Sequence, residues 1–68
     1  MINTAAFRGE MVAHGWTQRR LADYLGISEN TLSLKIRGLA SFTLDEVGKI
    51  CVAFGITDPV RKCEIFLP

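Results

Sequence analysis

Asn30, Ser33, Leu34 and Arg37 recur at three- and four-residue steps, and each carries a group suited to the edge of a base pair. An amide such as Asn30 can pair with adenine through both of its polar groups. Arg37 can reach guanine or a phosphate, and Leu34 can pack on a thymine methyl. Glu29 could accept from cytosine, or could equally complement the positive end of its own helix. With Leu32 set at 0° and roughly 100° per residue, Ile36 falls near ~40°, Ser33 near ~100°, Arg37 near ~140°, Asn30 near ~160° and Leu34 near ~200°. Leu32 and Ile36 therefore anchor this helix while the others face outward. Taken singly, each is an ordinary surface position; the joint pattern on one face carries the reading.

Two short helices must position that face. Thr17 caps a second helix at Gln18–Leu25, whose Leu21, Ala22 and Leu25 share one side, and Gly26 suits the left-handed residue that ends it. Ile27 is the apolar plug of the turn, and Ser28 caps the third helix, about Glu29–Ile36. Upstream, a first helix is predicted from about Ala5 to His14, capped by Asn3 or Thr4 and ended by Gly15. Gly9 inside it marks either a close-passing neighbour or a weak helix. Thr43-Leu44-Asp45-Glu46 is a capping box opening a fourth helix that ends at Gly55. Asp58 and Pro59 open a short fifth helix, Val60 to about Phe66.

Nothing alternates in the manner of a strand. The fold class is therefore all-α, five compact helices in one domain over residues 1–68, with the helix-turn-helix motif at about 17–37. The predicted core is Phe7, Met11, Leu21, Leu25, Ile27, Leu32, Ile36, Leu44, Val47, Ile50 and Phe54, with Cys51 as a further small buried group.

Composition narrows the function. Cys51 and Cys63 are too few and wrongly spaced for a zinc site, and His14 has no metal partner in sequence, so no metal and no cofactor is expected. No carboxylate pair, cysteine–histidine set or glycine-rich phosphate loop points to catalysis, and no small-molecule substrate is expected. No apolar run approaches the roughly 18 residues of a membrane span, and Met1-Ile2-Asn3-Thr4 lacks the start of a signal peptide. The expected setting is the cytoplasm of a bacterial host. Net charge is only +1. Arg8, Arg19, Arg20, Lys35 and Arg37 against Glu10, Asp23 and Glu29 leave +2 on residues 1–38, and the remainder carries −1. The excess sits with the motif, although it falls short of a strongly basic footprint.

The sequence resembles the Cro and lambda-repressor-like family of helix-turn-helix DNA-binding domains over about residues 5–56. The resemblance rests on Trp16-Thr17-Gln18, Leu21-Ala22, Leu25-Gly26-Ile27-Ser28, Thr31-Leu32-Ser33 and Arg37-Gly38. Leu32 to Gly38 followed by Phe42-Thr43-Leu44-Asp45-Glu46 is similar to small phage-encoded repressor and Cro-like members. It implies a dimer on a palindromic operator in double-stranded DNA, with the helix at 28–37 in the major groove. By carry-over, Ser28, Glu29, Asn30, Ser33 and Leu34 would face bases, Arg37 would lie at the groove edge, and Gln18 would contact phosphate. Thr17, Arg19, Arg20 and Lys35 complete the expected phosphate set. The chain departs from the family pattern in having Lys35 where many members are apolar and Ile36 where many are polar. Either the third helix is rolled, or the Lys35 head reaches a backbone phosphate.

A single third helix reads only a few base pairs, which favours a two-fold homodimer, formed in solution or only on DNA. The apolar tail Ile65-Phe66-Leu67-Pro68 offers the best-placed contact through Ile65, Phe66 and Leu67. The competing reading has Ile65 and Phe66 folded back on the first helix. The same tail and low charge also suit an alternative function, a protein-binding antirepressor- or antitoxin-like module on the same fold.

Overall fold

Every helix of this chain begins at a side-chain cap, and four of the five end in the same backbone motif. The structure, a computed structural model, describes residues 2–67. It places α1 at Thr4–Ala13, α2 at Gln18–Leu25, α3 at Glu29–Ile36, α4 at Leu44–Ala53 and α5 at Pro59–Phe66, with no strand among the described residues. Asn3, Thr17, Ser28, Thr43 and Asp58 each accept a hydrogen bond from a first-turn amide. Those bonds satisfy donors that a helix start otherwise leaves open.

At the other ends, Gly15, Gly26, Gly38 and Gly55 adopt left-handed φ values of 71°, 74°, 78° and 64°. The next residue in each case bonds back to the last turn: Trp16 to the Met11 carbonyl, Ile27 to Ala22, Leu39 to Leu34 and Ile56 to Cys51, at 2.8–3.0 Å. This is the Schellman ending, in which the residue after the glycine also makes an apolar contact. Trp16, Ile27 and Ile56 do so against the core, whereas Leu39 is 66% exposed.

Only a left-handed backbone closes the α2 turn, so Gly26→Ala is a direct test of its cost. An added Cβ would meet nothing within 4 Å, which leaves backbone strain alone. The expected loss is about 1–2 kcal/mol. In a domain of this size it should appear as a Tm lowered by about 4–8 °C for each kcal/mol. Gly9 likewise has open space around it, so it marks a weak point in α1 rather than a close approach.

The core centres on Phe7, which stacks on Phe42 at 5.5 Å and meets Phe54 and Phe66 edge-on at 5.4 and 6.1 Å. Met11, Leu21, Ala22, Leu25, Leu32, Ile36, Ile50, Phe54 and Ile65 complete it. Four expectations are corrected. Leu44 is 92% exposed, and Ile27 and Val47 are only half-buried. Ile27 still packs against the core from its turn; for Leu44 and Val47 the cause lies in α4, where Glu46 and Ile50, with Phe54 at its C-cap, form the inward side. That is a roll of roughly 60° from the apolar face that Leu44, Val47, Ile50, Cys51 and Phe54 would define. Cys51 is consequently half-buried too, and burial pushes its thiol pKa up, which keeps it a poor nucleophile.

The C-terminal tail folds back. Ile65 is fully buried, its carbonyl accepts from the Asn3 amide at 2.7 Å, and Phe66 lies edge-on to Phe7 and Phe42. Arg61 of α5 grips Glu10 of α1 through two nitrogens at 3.0 and 2.9 Å, and His14 pairs with the same carboxylate at 3.2 Å. Ile65 and Phe66 therefore close the core instead of presenting a contact to a second copy. Of the three residues expected there, Leu67 alone stands in solvent, 73% exposed. Pro68 lies outside the described residues, as does Met1 of the N-terminal reading.

Candidate nucleic-acid interface

Helices α2 and α3 are locked at their N-terminal ends and through their apolar sides. Leu21, Ala22 and Leu25 of α2 and Leu32 and Ile36 of α3 share the core. The Gln18 side-chain amide donates to the Glu29 carbonyl at 3.3 Å, bringing the starts of both helices together. The C-terminal end of α3 is held from two sides. The Thr4 hydroxyl donates to the Ile36 carbonyl at 2.7 Å, and Lys35 reaches α4.

The outward face of α3 carries Asn30 and Arg37 as its spacing predicts, but not a fully exposed Leu34. Glu29, Asn30 and Arg37 are exposed, and Ser33 and Leu34 are half-buried on the flanks. Among the described residues, neither the Asn30 amide nor the Arg37 guanidinium has a hydrogen-bonding partner. Both are free to serve a ligand. Ser28 is exposed but committed: its hydroxyl accepts from the Thr31 amide at 3.0 Å and donates to the Thr31 hydroxyl at 2.9 Å. Its role in the structure is the cap.

The residues expected on phosphates divide. Arg19 is exposed with no ion-pair partner among the described residues. Thr17 is exposed, its hydroxyl accepting from the Arg20 amide. Gln18 faces the start of α3. Arg20 is drawn back, its guanidinium 5.3 Å from the centre of the Trp16 ring and donating to the Gly15 carbonyl at 3.1 Å. Trp16 in turn donates to the Ala53 carbonyl, and Tyr24 beside it donates to the Lys49 carbonyl.

Lys35 corrects the expectation of a phosphate contact. Its ammonium sits 2.6 Å from Glu46 Oε1, and the two side chains are only 12% and 10% exposed. The same oxygen accepts from the Thr43 amide at 2.9 Å, while Thr43 Oγ1 accepts from the Glu46 amide. Sequence reading missed this pair. Its one signal was a lysine at an apolar phase of α3 near the acidic member of a capping box.

Burial pushes the Glu46 carboxyl up from its ordinary value of 4.5, but the Lys35 ammonium and the Thr43 amide and hydroxyl together outweigh it, and the net direction is down. A native pKa below the unfolded one stabilises the fold at pH above the ordinary carboxylate range and is lost as pH falls through the native value. Urea midpoints should therefore drop on acidification from about pH 6 to about pH 3. Glu46→Gln, which keeps the cap, should flatten that drop; an unchanged profile would remove Glu46 as its source.

An all-α domain with two capped helices across a glycine turn, the second facing outward with unpaired polar groups, has the helix-turn-helix arrangement. A family model described as helix-turn-helix matches residues 8–60. The chain belongs to this family, in its Cro/repressor-type branch of DNA-binding transcription regulators. No curated protein and no solved structure gives a significant match. No helix among the described residues is long and apolar enough to cross a membrane.

Proposed function

We propose that this chain is a sequence-specific transcriptional regulator of the phage Cro or repressor kind, laying the helix at 28–37 in the major groove of a palindromic operator. The observation that carries this reading is the outward face of α3, where Asn30 and Arg37 stand free of intramolecular partners on a helix held at both ends. Glu29, Asn30, Ser33, Leu34 and Arg37 form the base-facing set. Thr17, Gln18 and Arg19 are the phosphate contacts, with Arg20 joining them if it leaves the Trp16 ring. The reading includes a homodimer, whose contact passes to Leu67 and Leu44, exposed beside one groove of about 310 Å³.

The test is selection from a random duplex library, followed by anisotropy titration of the selected site across a salt series. Affinity should fall steeply, with a log–log slope of about −0.9 for each phosphate neutralised. The selected duplexes should contain inverted half-sites about one helical turn apart. Binding with no duplex preference, or none that salt weakens, would overturn the reading. A protein-binding antirepressor- or antitoxin-like module is the second reading. The groove, lined by Phe42, Leu44, Val47, Phe66 and Leu67 together with Lys35 and Ser41, is the surface it would use, and binding there would barely respond to salt.

A further inference from the structure

We propose that the Lys35–Glu46 ion pair is a positioning device that sets the roll of α3 against α4, and with it the direction in which Asn30 and Arg37 face. The proposal rests on the DNA-binding reading for its consequence, but the device itself belongs to the free protein. Lys35 follows Leu34 on the outward flank and precedes the anchor Ile36, so any rotation of α3 about its axis moves its ammonium. That ammonium is pinned at 2.6 Å to a carboxylate oxygen that the Thr43 amide holds at 2.9 Å. Glu46 is thereby tied both to the start of α4 and to α3, and the intervening loop lies across the pair with the Phe42 ring 5.9 Å from Nζ. Beside Lys35 the Thr4 hydroxyl holds the Ile36 carbonyl at 2.7 Å, and the opposite end of α3 has the longer Gln18–Glu29 contact at 3.3 Å; of these ties, the ion pair is the one that reaches α4.

Charge burial of this depth is weak evidence for stability, because desolvation opposes the Coulombic gain, and apolar replacements of similar volume are often neutral. What such a pair contributes is geometry. A roll of α3 that drew Lys35 away would leave two nearly buried charges without a partner, a cost that resists such a roll. The inward turn of Glu46 accounts for the roll of α4 as well, since Leu44 is left in solvent while the carboxylate takes the buried side.

The test compares Lys35→Met with the double variant Lys35→Met/Glu46→Gln, in which glutamine keeps the capping box. The double variant should keep a urea midpoint close to wild type. Both variants should lose about tenfold in the ratio of selected-site to random-duplex affinity, the lower part of the range that one misdirected base contact is worth. Their salt slopes should stay at the wild-type value. A Lys35→Met slope shallower by about 0.9, with the ratio intact, would make Lys35 a phosphate ligand and overturn the proposal. An unchanged ratio and slope would overturn it too, leaving the pair a packing contact. If wild type itself shows no duplex preference, the DNA reading fails, and amide shifts of the free double variant judge the device. Displacement across residues 29–37 with 18–25 unmoved sustains it; shifts confined to the neighbours of the two substitutions overturn it.

Discussion

Phe7→Ala is expected to be the most damaging single truncation in this domain, lowering its stability by about 3–5 kcal/mol. Phe7 is fully buried and touches three other aromatic rings drawn from the loop before α4, the end of α4 and the end of α5. Truncating such a side chain costs about 3–5 kcal/mol. A chain of this length has a total stability of only about 3–10 kcal/mol. The substitution therefore removes a third or more of what holds the native state. Urea denaturation followed by helical circular dichroism checks it. Leu44→Ala is the matched control: at 92% exposure it should leave the midpoint where it was, despite an apolar phase that suggests burial. A Phe7→Ala protein with a wild-type midpoint would show that the aromatic cluster is not the centre of the core.

The second large effect is on discrimination. Asn30→Ala should weaken binding to the selected duplex by about 5- to 150-fold, the range of about 1–3 kcal/mol for a bidentate amide on adenine. Binding to a duplex already changed at that base pair should hardly alter. Arg19→Ala should behave differently, weakening all duplexes alike and reducing the salt slope by about 0.9. The contrast separates a group that reads a base from one that holds the backbone. Equal losses on every duplex for Asn30→Ala would take it out of the reading set.

Where each helix starts and stops is written in adjacent residues, so it could be read locally. Thr43 and Glu46 are three apart and satisfy each other's amides, and Gly26 needs nothing beyond its own backbone freedom. The anchored side of α3 was legible for a similar reason, because Leu32 and Ile36 are four residues apart and both are fully buried. The roll of α4 was not. Leu44, Val47 and Cys51 offer an apolar stripe at helical spacing, yet the side of α4 that faces inward carries Glu46, whose partner Lys35 lies eleven residues away on another helix. The tail was ambiguous for another reason: Ile65 and Phe66 would be apolar whether they met their own core or a second copy. Only the place of Phe7 in space decides between them.

The four matching glycine endings have a consequence for how this domain can change over time. Neither stop of α3, the Ser28 hydroxyl at one end and the Gly38–Leu39 backbone bonds at the other, involves the side chains of Asn30, Ser33, Leu34 or Arg37. Those four positions form an interchangeable cassette between fixed stops. On the DNA-binding reading proposed above, new lettering can be written there without breaking either stop, so taste for a different target can drift while the architecture stands still.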